Sequence, residues 1–127
     1  MAEKKSFLTE KAAVTGGPYS QAVIHNGLIY LSGTGAVDPI SNRLMPGTIE
    51  EEAEMGLENM RIVLEEAGSS LQNVLKVNVY LLDMKEYDRF NAVYRRYFKT
   101  DPPARTCIQA GGLPFGIRVE MDCVAAL

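Results

Sequence analysis

Apolar residues follow helical spacing between residues 49 and 67 of the chain. The positions concerned are Ile49, Ala53, Leu57, Met60, Val63, Leu64 and Ala67. Residues three and four apart lie on one face of a helix, so this spacing is typical of an amphipathic helix. Thr48 and Glu51 form a capping-box pattern in front of the segment, and Gly68 is a natural stop behind it. We therefore predict a first helix over these residues.

A second helical stripe is aromatic and consists of Tyr87, Phe90, Tyr94, Tyr97 and Phe98. Asp83 and Glu86 supply a second capping signal in front of it, and the pattern ends near Lys99. An aromatic stripe at this spacing is typical of a helix face packed on a core rather than of a cofactor contact.

Two short apolar runs, Ser20 to Ile24 and Leu28 to Ser32, flank His25-Asn26-Gly27. Asn-Gly between apolar runs predicts a tight β-hairpin. His25, the single histidine, is then expected to be exposed at a turn, an interpretation that we favour over a catalytic role. The stretch from Gly33 to Gly47 carries Gly, Pro, Asp and Asn and predicts a loop.

Three more strands are predicted in the second half of the chain. In the run Val74 to Leu82, alternation puts Leu75, Val77, Val79 and Leu81 on one face and Lys76, Asn78 and Tyr80 on the other. After Pro102-Pro103, residues 105–110 and 117–126 are predicted strands. The six residues between them suit an antiparallel pair.

The resulting order is β-β-α-β-α-β-β, which favours an α+β fold with both helices on one face of a sheet. We expect one domain over residues 1–127, with a loosely ordered N-terminal segment over residues 1–16. Apolar residues on both faces of several strands leave the second sheet face in need of a cover. We therefore expect the chain to oligomerise through that face.

Composition and charge narrow the function classes. The formal net charge is −3 and the pI is near 5.2, which disfavours nucleic-acid binding because phosphate backbones are held mainly by Lys and Arg. No segment approaches the ~20 apolar residues of a membrane span, and the charged N-terminus lacks the apolar core of a signal peptide. We therefore expect no membrane partner and a cytoplasmic protein. Cys107 and Cys123 are expected as free thiols, and no zinc-ligand spacing is present.

The candidate chemistry lies on the two C-terminal strands. If Ala110 faces Ile117 in a hairpin, three opposed pairs share one sheet face: Cys107 with Glu120, Arg105 with Asp122, and Gln109 with Arg118. Arg105 could then clamp an anion beside Glu120 as a general acid or base. The alternative is a surface ladder of cross-strand ion pairs, which the pattern alone favours.

Two further candidates are weaker. Cys107 could be a nucleophile, but the one histidine is predicted at a distant turn, so a half-buried structural thiol is the favoured interpretation. Gly33-Thr34-Gly35 follows a strand without opening a helix, so it is not a dinucleotide-binding turn, although its N–H groups could face a small anion.

Several motifs resemble those of the Rid/YjgF family, which is also labelled endoribonuclease L-PSP or translation inhibitor. They are Gly17-Pro18-Tyr19-Ser20-Gln21, Ser32-Gly33, Phe90-Asn91-x-x-Tyr94, Pro103-Ala104-Arg105-x-Cys107, Leu113-Pro114 and Val119-Glu120-x-Asp122. The resemblance extends from about residue 16 to 126. It implies a chorismate-mutase-like fold, assembled as a homotrimer around a central barrel, with sites between subunits.

The resemblance also implies an activity: metal-independent, cofactor-free hydrolysis of 2-aminoacrylate-type enamines and imines to 2-keto acids and ammonia. Arg105 would bind the substrate carboxylate and Glu120 would handle the water, as the catalytic pair. The resemblance also assigns substrate binding to Tyr19, which would pack against the substrate, to Ser32 and the Gly33 backbone, which would line the pocket, and to Asn91 and Cys107, which would shape it.

The chain departs from the family pattern at Thr34, where many members have Gln, over residues 109–112, and at Phe115-Gly116. These departures flank the expected site and bear on substrate preference. The alternatives to deamination are a non-catalytic module that binds small carboxylates or acts like a chaperone, and a ribonuclease or translation inhibitor. The acidic pI and the lone histidine disfavour the ribonuclease.

Overall fold

Both helices pack on one face of a mixed sheet in this computed structural model, which describes residues 3–127. Strand order in the sheet is β1-β2-β3-β6-β4-β5. The elements are β1 (Lys5–Phe7), β2 (Ala22–His25), β3 (Leu28–Thr34), α1 (Ile49–Glu66), β4 (Val74–Leu81), α2 (Tyr87–Tyr97), β5 (Ala104–Gln109) and β6 (Val119–Ala126). The α+β class and the predicted order of elements are confirmed, with β1 as an additional strand.

Helix α1 begins and ends where its sequence signals predict. The Thr48 side chain accepts a hydrogen bond from the Glu51 N–H, and the Glu51 side chain accepts one from the Thr48 N–H. Ala67 is the C-terminal cap, and Gly68 follows with φ +89°, a conformation that glycine adopts without steric cost. The Asp83 side chain, in contrast, caps only a single 3₁₀ turn in front of α2.

The hairpin between β2 and β3 is confirmed, with Asn26 at φ 51° and Gly27 at φ 75°. Positive φ at both central residues is typical of the type I′ turn that matches strand twist. The expectation that His25 is exposed is wrong, because it ends β2 opposite Leu28 and is half-buried. Its Nδ1 is buried without a hydrogen-bond partner among residues 3–127.

The predicted β5–β6 hairpin is wrong, although both strands exist. β5 runs parallel to β4 at the sheet edge, and β6 runs antiparallel between β4 and β3. The unit β4–α2–β5 is the reason, because a helical crossover brings its two strands together in parallel. The link from β5 to β6 therefore passes round the end of β4, where the Ala110 N–H bonds to the Leu81 carbonyl.

The predicted faces of β4 are correct except at Leu75, which is 50% exposed, whereas Val74 is buried. The β4–β6 register shifts between Val74 and Lys76, which marks a bulge that turns Leu75 out of the alternation. Val77, beyond the bulge, is in the core as predicted.

The core lies between the sheet and the helices. Helix α2 contributes Phe90, Val93 and Tyr94 to it, so the aromatic stripe is a packing face as predicted. Strand β1 pairs with β2 in a segment expected to be only loosely ordered; three residues carry too little pattern to indicate a strand. Met1 and Ala2, also in that segment, lie outside the described residues. No helix within residues 3–127 has the length and apolarity to cross a membrane.

Candidate active site

The candidate residues fall into two groups on opposite faces of the sheet. Arg105 stands beside Val77 of β4, and Glu120 stands beside Tyr80 of the same strand. Since side chains three residues apart on a strand point to opposite faces, Arg105 faces the helices and Glu120 faces the uncovered side. The Cα atoms of Arg105 and Glu120 are roughly 14 Å apart, because they lie two strands apart across the sheet and three residues apart along it.

This placement contradicts the expectation that six side chains share one face. Cys107 beside Val79 lies on the helix side with Arg105, whereas Asp122 lies on the open side with Glu120. The expected ladder is also absent from residues 3–127, since neither Arg105 nor Glu120 forms an ion pair there.

Two members of that expected cluster have structural partners instead. The Gln109 side chain accepts a hydrogen bond from the Met84 N–H at 2.7 Å. Arg118 precedes β6, donates its Nε to the Gly47 carbonyl at 2.8 Å and pairs with Glu86 at 3.2 Å. Both side chains therefore hold the loops at the end of the sheet, and they do not bond to each other.

The first group surrounds the guanidinium of Arg105. Its Nη1 donates to Asn91 Oδ1 at 2.8 Å, and its Nη2 donates to the Tyr87 hydroxyl at 3.1 Å. The Cζ atom lies 4.7 Å from the ring centroid of Tyr94 and 5.8 Å from that of Phe90. A cation is attracted to the faces of aromatic rings, so helix α2 holds the guanidinium in one place without neutralising it.

The orientation of Arg105 leaves it able to bind an anion. Of its five N–H donors, one goes to Asn91 and another to Tyr87, which leaves three for a ligand. Two parallel N–H donors match the oxygens of a carboxylate.

Cys107 is the nearest thiol to this group and is half-buried against the core. Burial raises its pKa, an effect that the Arg105 guanidinium partly offsets. A raised pKa disfavours the thiolate, so the structure favours a packing role for Cys107 over a nucleophilic one. Cys123 is also a free thiol, and burial raises its pKa to about 12.

The second group lines a cavity of about 240 Å³ at the C-terminal end of β3. Tyr19, Ser32, Gly33 and Glu120 are all among its lining residues. An N-terminal strap, which we define as residues 8–17, forms one wall, and Pro114, Phe115 and Ile117 contribute to another. The structure thus brings together four of the seven sequence candidates.

Glu120 projects into this cavity across the backbone of Gly33. A Cβ atom at Gly33 would meet Glu120 Oε1 at 2.6 Å, so only glycine leaves room for the carboxyl group. The β3–β6 register shifts between Leu31 and Thr34, and this bulge turns the Ser32-Gly33 backbone towards the cavity. The Ser32 hydroxyl donates to the Ser20 carbonyl at 2.6 Å.

The environment of Glu120 favours its protonated form. Burial raises the pKa of its carboxyl group, and the neighbouring Asp122 carboxylate raises it further. Asp122 itself accepts hydrogen bonds from Asn78 and from the Tyr80 hydroxyl, each at 2.9 Å. A carboxyl group with a raised pKa can accept and return a proton closer to neutral pH.

Buried polar side chains hold the strap in place. Gln21 accepts a hydrogen bond from the Thr9 N–H and donates to the carbonyls of Thr9 and Ala13. Asn59, which is 2% exposed, accepts from the Ala13 N–H and donates to the Val37 carbonyl. The strap was not predicted from the sequence, because its contacts join residues far apart in the chain.

Thr34, one of the departures from the family pattern, has a structural partner. Its hydroxyl donates to the Gly56 carbonyl at 2.9 Å, which ties β3 to α1. Gly56 lets α1 approach the sheet closely, since a Cβ there would lie 3.5 Å from the Thr34 carbonyl oxygen of β3 and 2.9 Å from the Met121 side chain of β6. Within residues 3–127, no group of three or more His, Cys, Asp or Glu side chains is placed to hold a metal ion.

Comparisons with known proteins identify the family of the chain. The family model described as Endoribonuclease L-PSP matches residues 9–127. The human protein named 2-iminobutanoate/2-iminopropanoate deaminase is 43% identical over 122 residues, covering 96% of this chain and 89% of the human protein. Protein HMF1 of Saccharomyces cerevisiae is 42% identical over 119 residues, covering 94% of this chain and 92% of HMF1.

A solved structure is similar throughout its length. The crystal structure of Escherichia coli TdcF with bound serine superposes with a TM-score of 0.91 at 28% identity, covering 97% of this chain and 98% of TdcF. The similarity therefore extends over the whole sheet and both helices.

Proposed function

Because the chain belongs to the endoribonuclease L-PSP family, also called Rid/YjgF, we propose that it hydrolyses 2-imino acids and their enamine tautomers to 2-keto acids and ammonia. Mammalian relatives about 42% identical to it are named as deaminases of 2-iminobutanoate and 2-iminopropanoate. The observation that carries the proposal is that neither Arg105 nor Glu120 has an ion-pair partner among residues 3–127, so both groups remain available to a substrate.

The two groups meet the needs of this reaction. The protonated imine carbon of the substrate is electrophilic, so hydrolysis needs a fixed carboxylate, a placed water and a proton carrier. Arg105 binds the substrate carboxylate through two of its remaining N–H donors. Glu120 takes a proton from the water as its oxygen bonds to the imine carbon. Glu120 then gives this proton to the nitrogen of the resulting carbinolamine. The C–N bond breaks as the hydroxyl oxygen forms the keto C=O, ammonia leaves, and Glu120 takes the hydroxyl proton and passes it to solvent.

The remaining site residues position the reactants. Asn91 orients the guanidinium, as its 2.8 Å hydrogen bond to Arg105 supports. Tyr19, 57% exposed at the cavity, packs against the substrate. Ser32 and the Gly33 backbone line the pocket, and Cys107 fills space beside Arg105.

Each site needs two chains, because one chain holds Arg105 and Glu120 on opposite sheet faces. We propose a homotrimer in which the uncovered sheet faces line the centre and the edge strand β5 of one chain lies against its neighbour, so that Arg105 on that edge approaches the neighbour's Glu120. Tyr30 and Ile108, 43% and 49% exposed, are apolar residues that such an assembly would cover. A mass in solution about three times the 14.0 kDa of the chain is expected, and a monomer would contradict the assembly.

The activity is tested by coupling an enzyme that forms 2-aminoacrylate from serine to the detection of pyruvate. Wild-type protein is expected to accelerate pyruvate release, and Arg105→Ala is expected to abolish the acceleration while the trimer persists. A well-folded wild-type trimer that gives no acceleration would overturn the deaminase proposal. Full activity in Glu120→Gln would exclude Glu120 as the proton carrier, whereas carboxylate binding that depends on Arg105 without any acceleration would favour a non-catalytic binding module.

Mixing two inactive variants tests the shared site. Random trimers formed from equal amounts of Arg105→Ala and Glu120→Gln contain some sites with both native residues, about a quarter of the total if two neighbours supply them. Co-refolded mixtures are therefore expected to regain about a quarter of wild-type activity. If activity stays at the level of the single variants, Arg105 and Glu120 do not act across subunits.

A further inference from the structure

We infer that Phe115 selects substrates with large apolar side chains, so that this chain favours branched or aromatic 2-imino acids over 2-iminopropanoate. This inference rests on the proposed function and names the substrate class of the same site. Phe115 lines the cavity that holds Glu120, yet its own side chain is 85% exposed.

Neither packing nor backbone preference explains a phenylalanine at this position. Phe115 has φ 59° and ψ 17°, in the left-handed region that bulky residues avoid because Cβ crowds the backbone. With 85% of its surface exposed, the ring gains little from burial within the chain. An aromatic ring kept in a strained and exposed conformation at a cavity is typical of a ligand contact.

The loop that carries Phe115 is anchored on both sides of the ring. The Gly116 N–H donates to the Leu113 carbonyl at 3.1 Å. Two residues further on, the Arg118 N–H donates to Oε1 of Glu52 at 2.7 Å, and Glu52 is only 1% exposed. The ring is therefore presented from a fixed backbone, as discrimination between substrates of different size requires.

The chemistry of the cavity matches a large apolar group. Three more of its lining residues expose apolar surface, namely Leu8 at 62%, Tyr19 at 57% and Leu44 at 38%. Exposed apolar side chains gathered at one cavity commonly mark a ligand contact. A substrate whose reacting carbon lies at Glu120 would extend its side chain over this surface towards Phe115.

The test compares rates on imines that an L-amino acid oxidase generates from alanine, leucine and phenylalanine. Wild-type protein is expected to have a higher kcat/KM on the two larger substrates. Phe115→Asn is expected to lower kcat/KM on the imine of phenylalanine about 10-fold. Its kcat/KM on the imine of alanine should stay within about 2-fold of the wild-type value. Asn tolerates the left-handed conformation, so this variant should remain folded.

Two further variants sharpen the comparison. Phe115→Tyr keeps the ring and is expected to retain the wild-type preference. Ile40→Asn is the matched control, because Ile40 is a 93% exposed apolar residue in a loop and is not among the cavity-lining residues. It is expected to change neither the rate nor the preference.

Three outcomes would overturn the inference. The first is a wild-type preference for the alanine imine, and the second is an equal change of kcat/KM on all three imines in Phe115→Asn. The third is a change in the mass of the assembly in Phe115→Asn. The last would identify Phe115 as a contact between copies of the chain. If wild-type protein hydrolyses none of the imines, the proposed function fails. In that case the dissociation constants of phenylpyruvate and pyruvate are compared. Tighter binding of phenylpyruvate that is lost in Phe115→Asn would support the selective role of Phe115. Equal binding of the two keto acids would overturn it.

Discussion

The carboxyl group of Glu120 lies over the backbone of Gly33, where a Cβ atom would come within 2.6 Å of Oε1. The conflict involves the far end of a flexible side chain, since the next atoms that a Cβ would meet are also in the Glu120 side chain. A side chain at position 33 would therefore displace the carboxyl group and leave the sheet in place.

Gly33→Ala is accordingly expected to lower kcat/KM about 10-fold or more, because a reacting group that is misplaced by about 1 Å loses much of its effect. The free energy of unfolding should change by less than about 1 kcal/mol. Steady-state rates and urea denaturation measure the two quantities. Gly111→Ala is the matched control, since a Cβ there meets nothing within 4 Å. Wild-type activity in Gly33→Ala would show that the position of the carboxyl group is unimportant.

The raised pKa of Glu120 predicts the acidic limb of the pH–rate profile. The carboxyl group must be ionised to accept a proton from water, so kcat/KM should fall as pH falls through that raised pKa. Asp122→Asn removes one of the two causes and is expected to move the limb to lower pH. Burial, the larger cause, remains in this variant. The acidic limb should therefore still lie at a higher pH than the pKa of an ordinary glutamate. An unmoved limb would mean that another group limits the rate.

The same shift predicts how Glu120 affects stability. A carboxyl group whose pKa is higher in the folded than in the unfolded chain holds its proton over a wider pH range when folded. The free energy of unfolding therefore falls as pH rises through the window between the two values. Glu120→Gln removes this loss, so it should be at least as stable as wild type near neutral pH. Urea titrations on both sides of the window measure the effect, and a variant that is less stable at neutral pH would contradict it.

Glu52 is expected to stabilise the fold strongly although it touches no substrate. Its buried carboxylate accepts hydrogen bonds from the Arg118 N–H at 2.7 Å and the Gly47 N–H at 3.1 Å. Glu52→Ala leaves both donors unpaired and should lower the free energy of unfolding by about 2–4 kcal/mol. Glu54→Ala on the same helix is the control, because its ion pair with Arg96 is exposed and should contribute under about 1 kcal/mol. Equal losses in the two variants, measured by urea denaturation, would refute this role.

Arg105→Lys tests whether charge alone suffices at the carboxylate clamp. Lysine keeps the charge but lacks the planar pair of donors that the aromatic residues of α2 hold in place. KM for the imine substrate should rise about 10-fold to 100-fold, with a smaller change in kcat. Arg89→Lys, which alters an exposed pair with Glu50, should leave both constants near wild type. A lysine variant with normal KM would reduce the role of Arg105 to a point charge.

Local signals predicted much of the fold because the interactions behind them are local. The capping box at Thr48, the Asn26-Gly27 turn and the aromatic face of α2 all depend on neighbours within a few residues. The strand alternation in β4 was also correct beyond the bulge, at which Leu75 leaves the pattern. A bulge inserts one residue against a partner strand, so it could not be seen in one strand alone.

The candidate site was predicted less completely than the fold. Residue types and family motifs singled out Arg105 and Glu120, and their roles stay predictions. The assumed hairpin placed them on one face, whereas β4 separates them and each faces a different side. Tyr87, which binds the Arg105 guanidinium, was assigned only to the packing stripe. Phe115 was noted only as a departure from the family pattern.

The sequence by itself determined which residues form helices, strands and tight turns, because hydrophobic periodicity and capping act over a few positions. Tertiary structure decided that β6 lies between β3 and β4, that the strap closes a cavity over Gly33, and that Arg105 and Glu120 face away from one another. Strand order and register depend on which long-range pairings bury the most apolar surface and satisfy the backbone together. That free energy belongs to the assembled sheet, and no single segment carries a signal for it.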